Sequence, residues 1–143
     1  MNERYEQDVL MGDKNETKFK DFIEKTEFIK LNKYKDKYAE LDFRYLNRRL
    51  ELKSRGISFK EFPSTIVGYN KIIKTRKRQR KNLDTEFYFL FTDGLYKWNY
   101  NEEEISCIMP TRRIDRGKIE VKDHAYIPTR YLKFMSSEIL SVD

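Results

Sequence analysis

Residues 40–54 read Glu40-Leu41-Asp42-Phe43-Arg44-Tyr45-Leu46-Asn47-Arg48-Arg49-Leu50-Glu51-Leu52-Lys53-Ser54, and their pattern decides the fold. Leu41, Phe43 and Tyr45 alternate with Asp42 and Arg44, and Leu50 and Leu52 alternate with Glu51 and Lys53. Alternation with period two puts successive side chains on opposite faces of a strand. The segment therefore predicts an antiparallel hairpin over residues 40–46 and 48–54, turning at Asn47-Arg48. That turn sets Asp42 opposite Lys53 and Arg44 opposite Glu51. Glu51 and Lys53 are two residues apart and share a face, and the pairing brings Asp42 to the same face.

Working outward, Phe19, Phe22 and Ile23 recur at helical spacing with charges between them, which predicts a helix over residues 15–26. A short strand over 28–31 and a polar loop over 33–37 lead into the hairpin. After Gly56 the chain loops to Pro63, a favoured first helical residue. Ile66, Val67, Tyr69, Asn70 and Ile73 then continue at helical spacing into the basic run 71–81. The apolar run 87–91 predicts a buried central strand, and Thr92-Asp93-Gly94 turns it into a partner over 95–100. Residues 105–109 and 125–127 are further strands, and 129–140 a last helix. Helix, three strands, helix, strand, strand describes an α/β fold: a mixed β-sheet flanked by helices on both faces. One domain spanning 1–143 accommodates this length.

Thirty Lys and Arg stand against 24 Asp and Glu, a net charge of +6, with a pI near 9.3. Such a balance favours polyanionic partners. Cys107 is the lone cysteine and His124 the lone histidine, which excludes an internal disulfide and a four-ligand zinc site of Cys and His. No apolar run approaches the ~20 residues that span a bilayer. Met1-Asn2-Glu3-Arg4 is not the start of a signal peptide. The expectation is a soluble intracellular protein with no membrane partner.

Two carboxylates and an ammonium on one face suit phosphodiester hydrolysis. Carboxylate oxygens hold Mg²⁺, a hard cation that keeps several waters, and the metal acidifies a bound water while neutralising phosphate charge. A Lys beside it orients or deprotonates the water, or stabilises the transition state. The competing reading is plain cross-strand ion pairing on a solvated face, contributing a few tenths of a kcal/mol per pair.

Ala39-Glu40-Leu41-Asp42-Phe43 followed by Leu50-Glu51-Leu52-Lys53-Ser54-Arg55 resembles the core of the PD-(D/E)xK nuclease superfamily. There an Asp opens one strand and E-x-K follows on the next, between apolar residues; Leu41 replaces the family's Pro. Gly12-Asp13-Lys14-Asn15-Glu16 is similar to the helix start that often carries a metal-binding Glu in this family. Asn70 or Lys71 takes the place of a polar residue on its following helix. The resemblance runs over about residues 12–91 and leaves 95 onward uncovered. It implies a restriction-endonuclease-like core, a Mg²⁺ site that Mn²⁺ also fills, and internal cleavage of DNA. Asp42 and Glu51 would hold the metal with the Leu52 carbonyl, Glu16 would complete the site, and Lys53 would assist the attacking water. A compact chain resembles the resolvase or viral members, which implies branched DNA as substrate, and small members often act as homodimers.

Lys71, Lys74, Lys77 and Arg78 in the basic run are candidate phosphate contacts, against the alternative of a solvated helix end. Arg112 and Arg113 in a loop after Pro110 are a second candidate tract, against an ordinary exposed loop. Phe87, Phe89 and Phe91 read as core, and so do Tyr96 and Trp98 in preference to base stacking. Cys107 reads as a buried core thiol and His124 as a surface or structural histidine. The alternatives to a nuclease are a non-catalytic basic nucleic-acid-binding module, and an interaction protein whose Asp42 and Glu51 are merely paired.

Overall fold

The computed structural model of the chain describes residues 3–33, 42–115 and 117–140; of residues 3–13, 42, 113, 115 and 140 it describes the backbone alone. The described elements are α1 (Glu3–Glu27), β1 (Asn32–Lys33), β2 (Asp42–Tyr45), β3 (Arg48–Ser54), β4 (Ser64–Gly68), α2 (Tyr69–Gln79), β5 (Asp84–Phe91), β6 (Gly94–Asn99), β7 (Cys107–Asp115), β8 (Lys118–Pro128) and β9 (Lys133–Ser136). They form two sheets, one of six strands in the order β1-β2-β3-β5-β6-β9 and one of three in the order β4-β8-β7. The larger sheet is mixed: β3 and β5 run parallel and its other pairs antiparallel. The mixed α/β architecture follows from the periodicities as expected; the described residues hold two α-helices where three were expected.

Strand β5, Asp-Thr-Glu-Phe-Tyr-Phe-Leu-Phe, is buried from Thr85 to Phe91 because both of its faces are covered. Tyr88 and Leu90 join Phe19 and Ile23 of α1, Phe43 of β2, and Leu50 and Leu52 of β3 in one core. Phe87, Phe89 and Phe91 join Ile72 of α2, Val67 of β4, Trp98 of β6, and Ala125 and Ile127 of β8 in a second. The alternation of Leu50 and Leu52 with Glu51 and Lys53 thus assigns Glu51 to the opposite face from the α1 core.

Several expectations are corrected. The hairpin pairs Asp42 with Glu51, Arg44 with Arg49 and Tyr45 with Arg48, a register two residues away from the expected one. The turn is Leu46-Asn47, with Leu46 in the left-handed region at φ 54°. Parity, which fixes faces, survives because the shift is even. Residues 64–68 form β4 rather than the first turns of a helix; Thr65, Ile66 and Val67 are β-branched and favour a pleated surface. Phe28, at φ 57°, ends α1 where a strand was expected, and the strand comes at Asn32–Lys33. No helix covers 129–140: single 3₁₀ turns at Thr129–Tyr131 and Glu138–Leu140 flank β9. Arg112 and Arg113 lie in β7 rather than a loop, and Cys107 is exposed rather than buried. The loop expected over 33–37 falls, after Lys33, outside the described residues. Among those described, no helix is long and apolar enough to cross a membrane.

Candidate active site

Glu51 sits mid-strand in β3 and is only 4 % exposed. An ionised carboxylate is costly to bury without compensating charge. Two cations supply it: Lys71 Nζ lies 3.4 Å and Arg49 Nε 3.5 Å from Glu51 Oε1. Arg49 precedes Glu51 by two residues and so shares its face. Lys71 reaches it from the first turn of α2, where Ile72 anchors the helix in the second core.

The start of α2 has an unusual charge. Its N-cap is Gly68, which offers no side-chain cap, and the first turn contains no acidic residue. Helix N-termini carry partial positive charge and normally attract Asp or Glu. Here the buried Lys71 adds a full positive charge to that end. Lys71 lines a cavity of about 450 Å³ together with Lys53 and Arg55 from the end of β3 and Glu120, Lys122, Asp123 and His124 of β8. Arg55 is fixed by a hydrogen bond from Nη2 to the Ile66 carbonyl, 2.6 Å, and stands over the Phe89 ring. His124 is buried, its Nδ1 3.0 Å from the Lys122 carbonyl oxygen; an acceptor there requires the proton on Nδ1. The cavity lining thus carries the cations Lys53, Arg55, Lys71 and Lys122 against the carboxylates Glu120 and Asp123, with Lys122 paired to Glu120.

The expected site residues do not all gather here. Lys53 and Lys71 line the cavity and Glu51 contacts Lys71. Asp42 stands opposite Glu51 in the strand register, and its side chain lies outside the described residues. Leu52, between Glu51 and Lys53, has its side chain in the α1 core. Glu16 of α1 is buried, and its Oε1 lies 2.8 Å from Lys33 Nζ, so the ion pair it makes is with β1. The neighbouring Asn15 donates to Ser54 Oγ at 3.1 Å, which ties α1 to the end of β3. Among the described residues no three His, Cys, Asp or Glu side chains gather as a metal site.

Of the expected phosphate contacts, Lys74 and Lys77 are exposed on α2 and Arg112 is exposed on β7. Arg78 instead donates to Thr85 Oγ1 and the Asp84 carbonyl, so it fastens α2 to β5. Arg113 is described in backbone only. Sequence reasoning missed Arg49, Arg55 and the wall from β8. Arg49 could have been found, because it shares parity with Glu51. The β8 wall could not, because folding alone carries that strand to the cavity.

Comparison with known proteins gives one family. A model of the family described as "Phage putative PDDEXK endonuclease" matches residues 2–133. No curated protein matches the chain, and no solved structure does.

Proposed function

The chain belongs to the phage PDDEXK endonuclease family, and from that premise we propose that it is a metal-dependent nuclease cutting DNA internally at the Glu51 cavity. The supporting observation is a buried carboxylate that packing alone would not select. Glu51 lies buried between Leu50 and Leu52, faces Asp42 in register, and contacts Lys71, which with Lys53 lines the cavity.

The donor chemistry fits a hard divalent cation, since Asp42, Glu51 and the Leu52 carbonyl offer oxygen. Mg²⁺ or Mn²⁺ bound there would acidify a water and neutralise phosphate charge. Lys71 and Arg49 keep Glu51 ionised, because nearby positive charge favours the charged form of a carboxyl. Lys53, half-buried at the cavity, orients the attacking water and stabilises the charge developing on the phosphate. The positive end of α2 holds the substrate's phosphate against these groups. Glu16, paired to Lys33, acts as a support for the β1–β2 edge unless that pair opens.

The reading takes in the whole restriction-endonuclease-like arrangement, one domain over 1–143 with α1 and α2 covering opposite faces of the mixed sheet. Its support is that alternate β5 residues join cores with α1 and with α2. The resemblance favours branched DNA as the preferred substrate and a homodimer as the working form.

The experiment is a cleavage assay on linear duplex, single-stranded and four-way-junction DNA, with Mg²⁺, with Mn²⁺ and with neither. Cutting is expected only with metal, and Lys53→Ala should lower it at least ~100-fold while DNA binding stays near wild type. Metal-independent binding without cutting of any substrate would instead make the protein a basic nucleic-acid-binding module. Equal cutting by Lys53→Ala would move the active site elsewhere.

A further inference from the structure

Strand β8 is longer than its neighbour on one side. It pairs with β4 only from His124 to Pro128, whereas its pairing with β7 continues outward to Lys118 opposite Asp115. Among the described residues, 118–123 therefore pair on one side only, as half of a two-stranded ribbon. Where the described residues resume before β8, Gly117 has φ 78°, a conformation that costs glycine little.

This ribbon carries apolar side chains in water. Ile114 is 74 %, Val121 66 % and Ile119 60 % exposed. Ile114 pairs with Ile119 and Arg112 with Val121, so all four share one face. Nearer the body the same face supplies Ala125 and Ile127 to the core. Lys118 and Lys122 lie on the opposite face, Lys122 in an exposed pair with Glu120. Residues 111–122 contain five basic side chains against two acidic ones.

Two features argue against a second copy as the occupant. Docking on the apolar face would bury the Arg112 guanidinium among aliphatic groups, which is costly without a partner. Strand addition at the β7 edge is interrupted by Pro110, which has no N–H to donate. Cations on both faces suit a groove with a phosphate backbone on either side. The major groove is wide enough for a two-stranded ribbon, and apolar wedges placed between base steps are a recurring mode in the minor groove. The base of the ribbon, at Lys122 and His124, lines the cavity that holds Lys53 and Lys71. A phosphate delivered to that cavity brings its duplex alongside the ribbon.

We propose that the β7–β8 hairpin is an arm that enters a groove of duplex DNA, with Ile114 and Ile119 against base edges and Arg112, Lys118 and Lys122 on the flanking phosphates. The proposal rests on the nuclease reading, which supplies DNA as the partner. It is tested with the full chain in EDTA, by anisotropy of a labelled 20-base-pair duplex over a salt series, beside a metal-dependent cleavage assay of the wild type. Ile114→Ala/Ile119→Ala should weaken duplex binding about tenfold with the salt slope unchanged. Ile114→Thr/Ile119→Thr, which keeps the β-branched shape, is the check should the alanine form misfold, and should weaken binding in the same way. Arg112→Ala/Lys118→Ala/Lys122→Ala should lower the salt slope by roughly 0.9 for each lost contact. Wild-type cleavage together with undiminished binding by the variants overturns the arm and leaves the nuclease reading intact. So does a dimer that becomes a monomer in Ile114→Ala/Ile119→Ala while duplex binding is unchanged, since the apolar face then belongs to a second copy. A wild type that neither binds nor cuts DNA removes the nuclease reading, and the arm with it.

Discussion

Two carboxylates lie buried on adjacent strands of one sheet, and they are held differently. Glu86 of β5 faces the α1 core at the start of β3, where Arg48 Nε and Nη2 donate to it at 2.6 and 2.9 Å. Tyr88 donates at 2.7 Å and Lys97 stands at 3.1 Å. Arg48 also donates to Glu27 at 2.8 Å, so the cluster fastens the end of α1 to the sheet. Glu51 faces the other way, with Lys71 and Arg49 at 3.4 and 3.5 Å, and Lys71 in turn lines the cavity. Charge-assisted hydrogen bonds normally run at ~2.7–2.9 Å. Glu86 has the geometry of a structural lock, whereas the contacts of Glu51 with Lys71 and Arg49 are longer. Burial alone, 6 % and 4 % exposed, does not separate them, and Glu86 lines a small pocket of its own; contact distance does separate them.

The comparison breaks most visibly if function and stability fail to divide between the two residues. Glu51→Gln should lower metal-dependent DNA cleavage at least ~1000-fold, with an unfolding midpoint that moves less than that of Glu86→Gln. Glu86→Gln should cost about 3 kcal/mol, because it leaves the part-buried Arg48 short of its partner, and its cleavage per folded molecule should stay near wild type. Urea titration followed by tryptophan fluorescence gives both stabilities, Trp98 being fully buried in the second core. Equal loss of cleavage in both variants would mean that Glu51 acts only through folding.

Acid sharpens the same contrast. Burial pushes the Glu86 carboxyl up, but the hydrogen bonds from Arg48 and Tyr88 and the charge of Lys97 outweigh it and hold the group below its ordinary value. A carboxyl depressed in the folded state stabilises the protein fully above its unfolded pKa, about 4.3. That contribution is lost as pH falls through the lower folded value. Wild-type stability should therefore fall between pH 5 and the onset of acid unfolding, roughly the range over which such carboxylates protonate. Glu86→Gln should fall less steeply over the same range. Parallel curves would show that the lock does not govern acid stability.

Smaller effects test the surroundings. Lys74→Ala/Lys77→Ala removes two exposed cations of α2 and should reduce the salt slope of duplex binding by roughly 0.9 per contact. An unchanged slope identifies that face as solvated only. Leu46→Gly relieves a side chain that is 84 % exposed and held at φ 54°. It should raise stability by about 0.5–1 kcal/mol, since leucine in this region is strained and loses little packing on removal. A lower midpoint would show that Leu46 contributes to the hairpin by packing.

The hairpin was legible because parity needs only local alternation, and parity is what assigned Glu51 and Lys53 to one face. Its register was not, because Asn47 was taken as the first turn residue while the turn accepted Leu46 at positive φ. Strand β4 carried a usable sign in Thr65-Ile66-Val67, which Pro63 overrode. The alternation of Ile119 and Val121 with Glu120 and Lys122 likewise announces β8, although not where that strand goes. Arg48 and Glu86 are 38 residues apart and share no local pattern; their pairing follows from the parallel alignment of β3 and β5, which no short window reveals. The site is divided in the same way: its E-x-K strand was readable, and the cavity walls from α2 and β8 came from topology.

That parallel alignment also sets an order of events. Antiparallel neighbours such as β2 and β3 zip from a two-residue turn, but β3 and β5 meet only after the chain between them, including β4 and α2, has closed as a loop. Loop-closure entropy makes contacts of such sequence separation slow to form. The contact between Lys71 and Glu51 spans this same crossover. A chain with only its first hairpin formed has Glu51 on a solvated strand, where the carboxylate is fully hydrated and lacks Lys71. The cavity is therefore assembled at docking of the crossover, and the pairing of Glu51 with Lys71 arrives in one cooperative step with the tertiary fold.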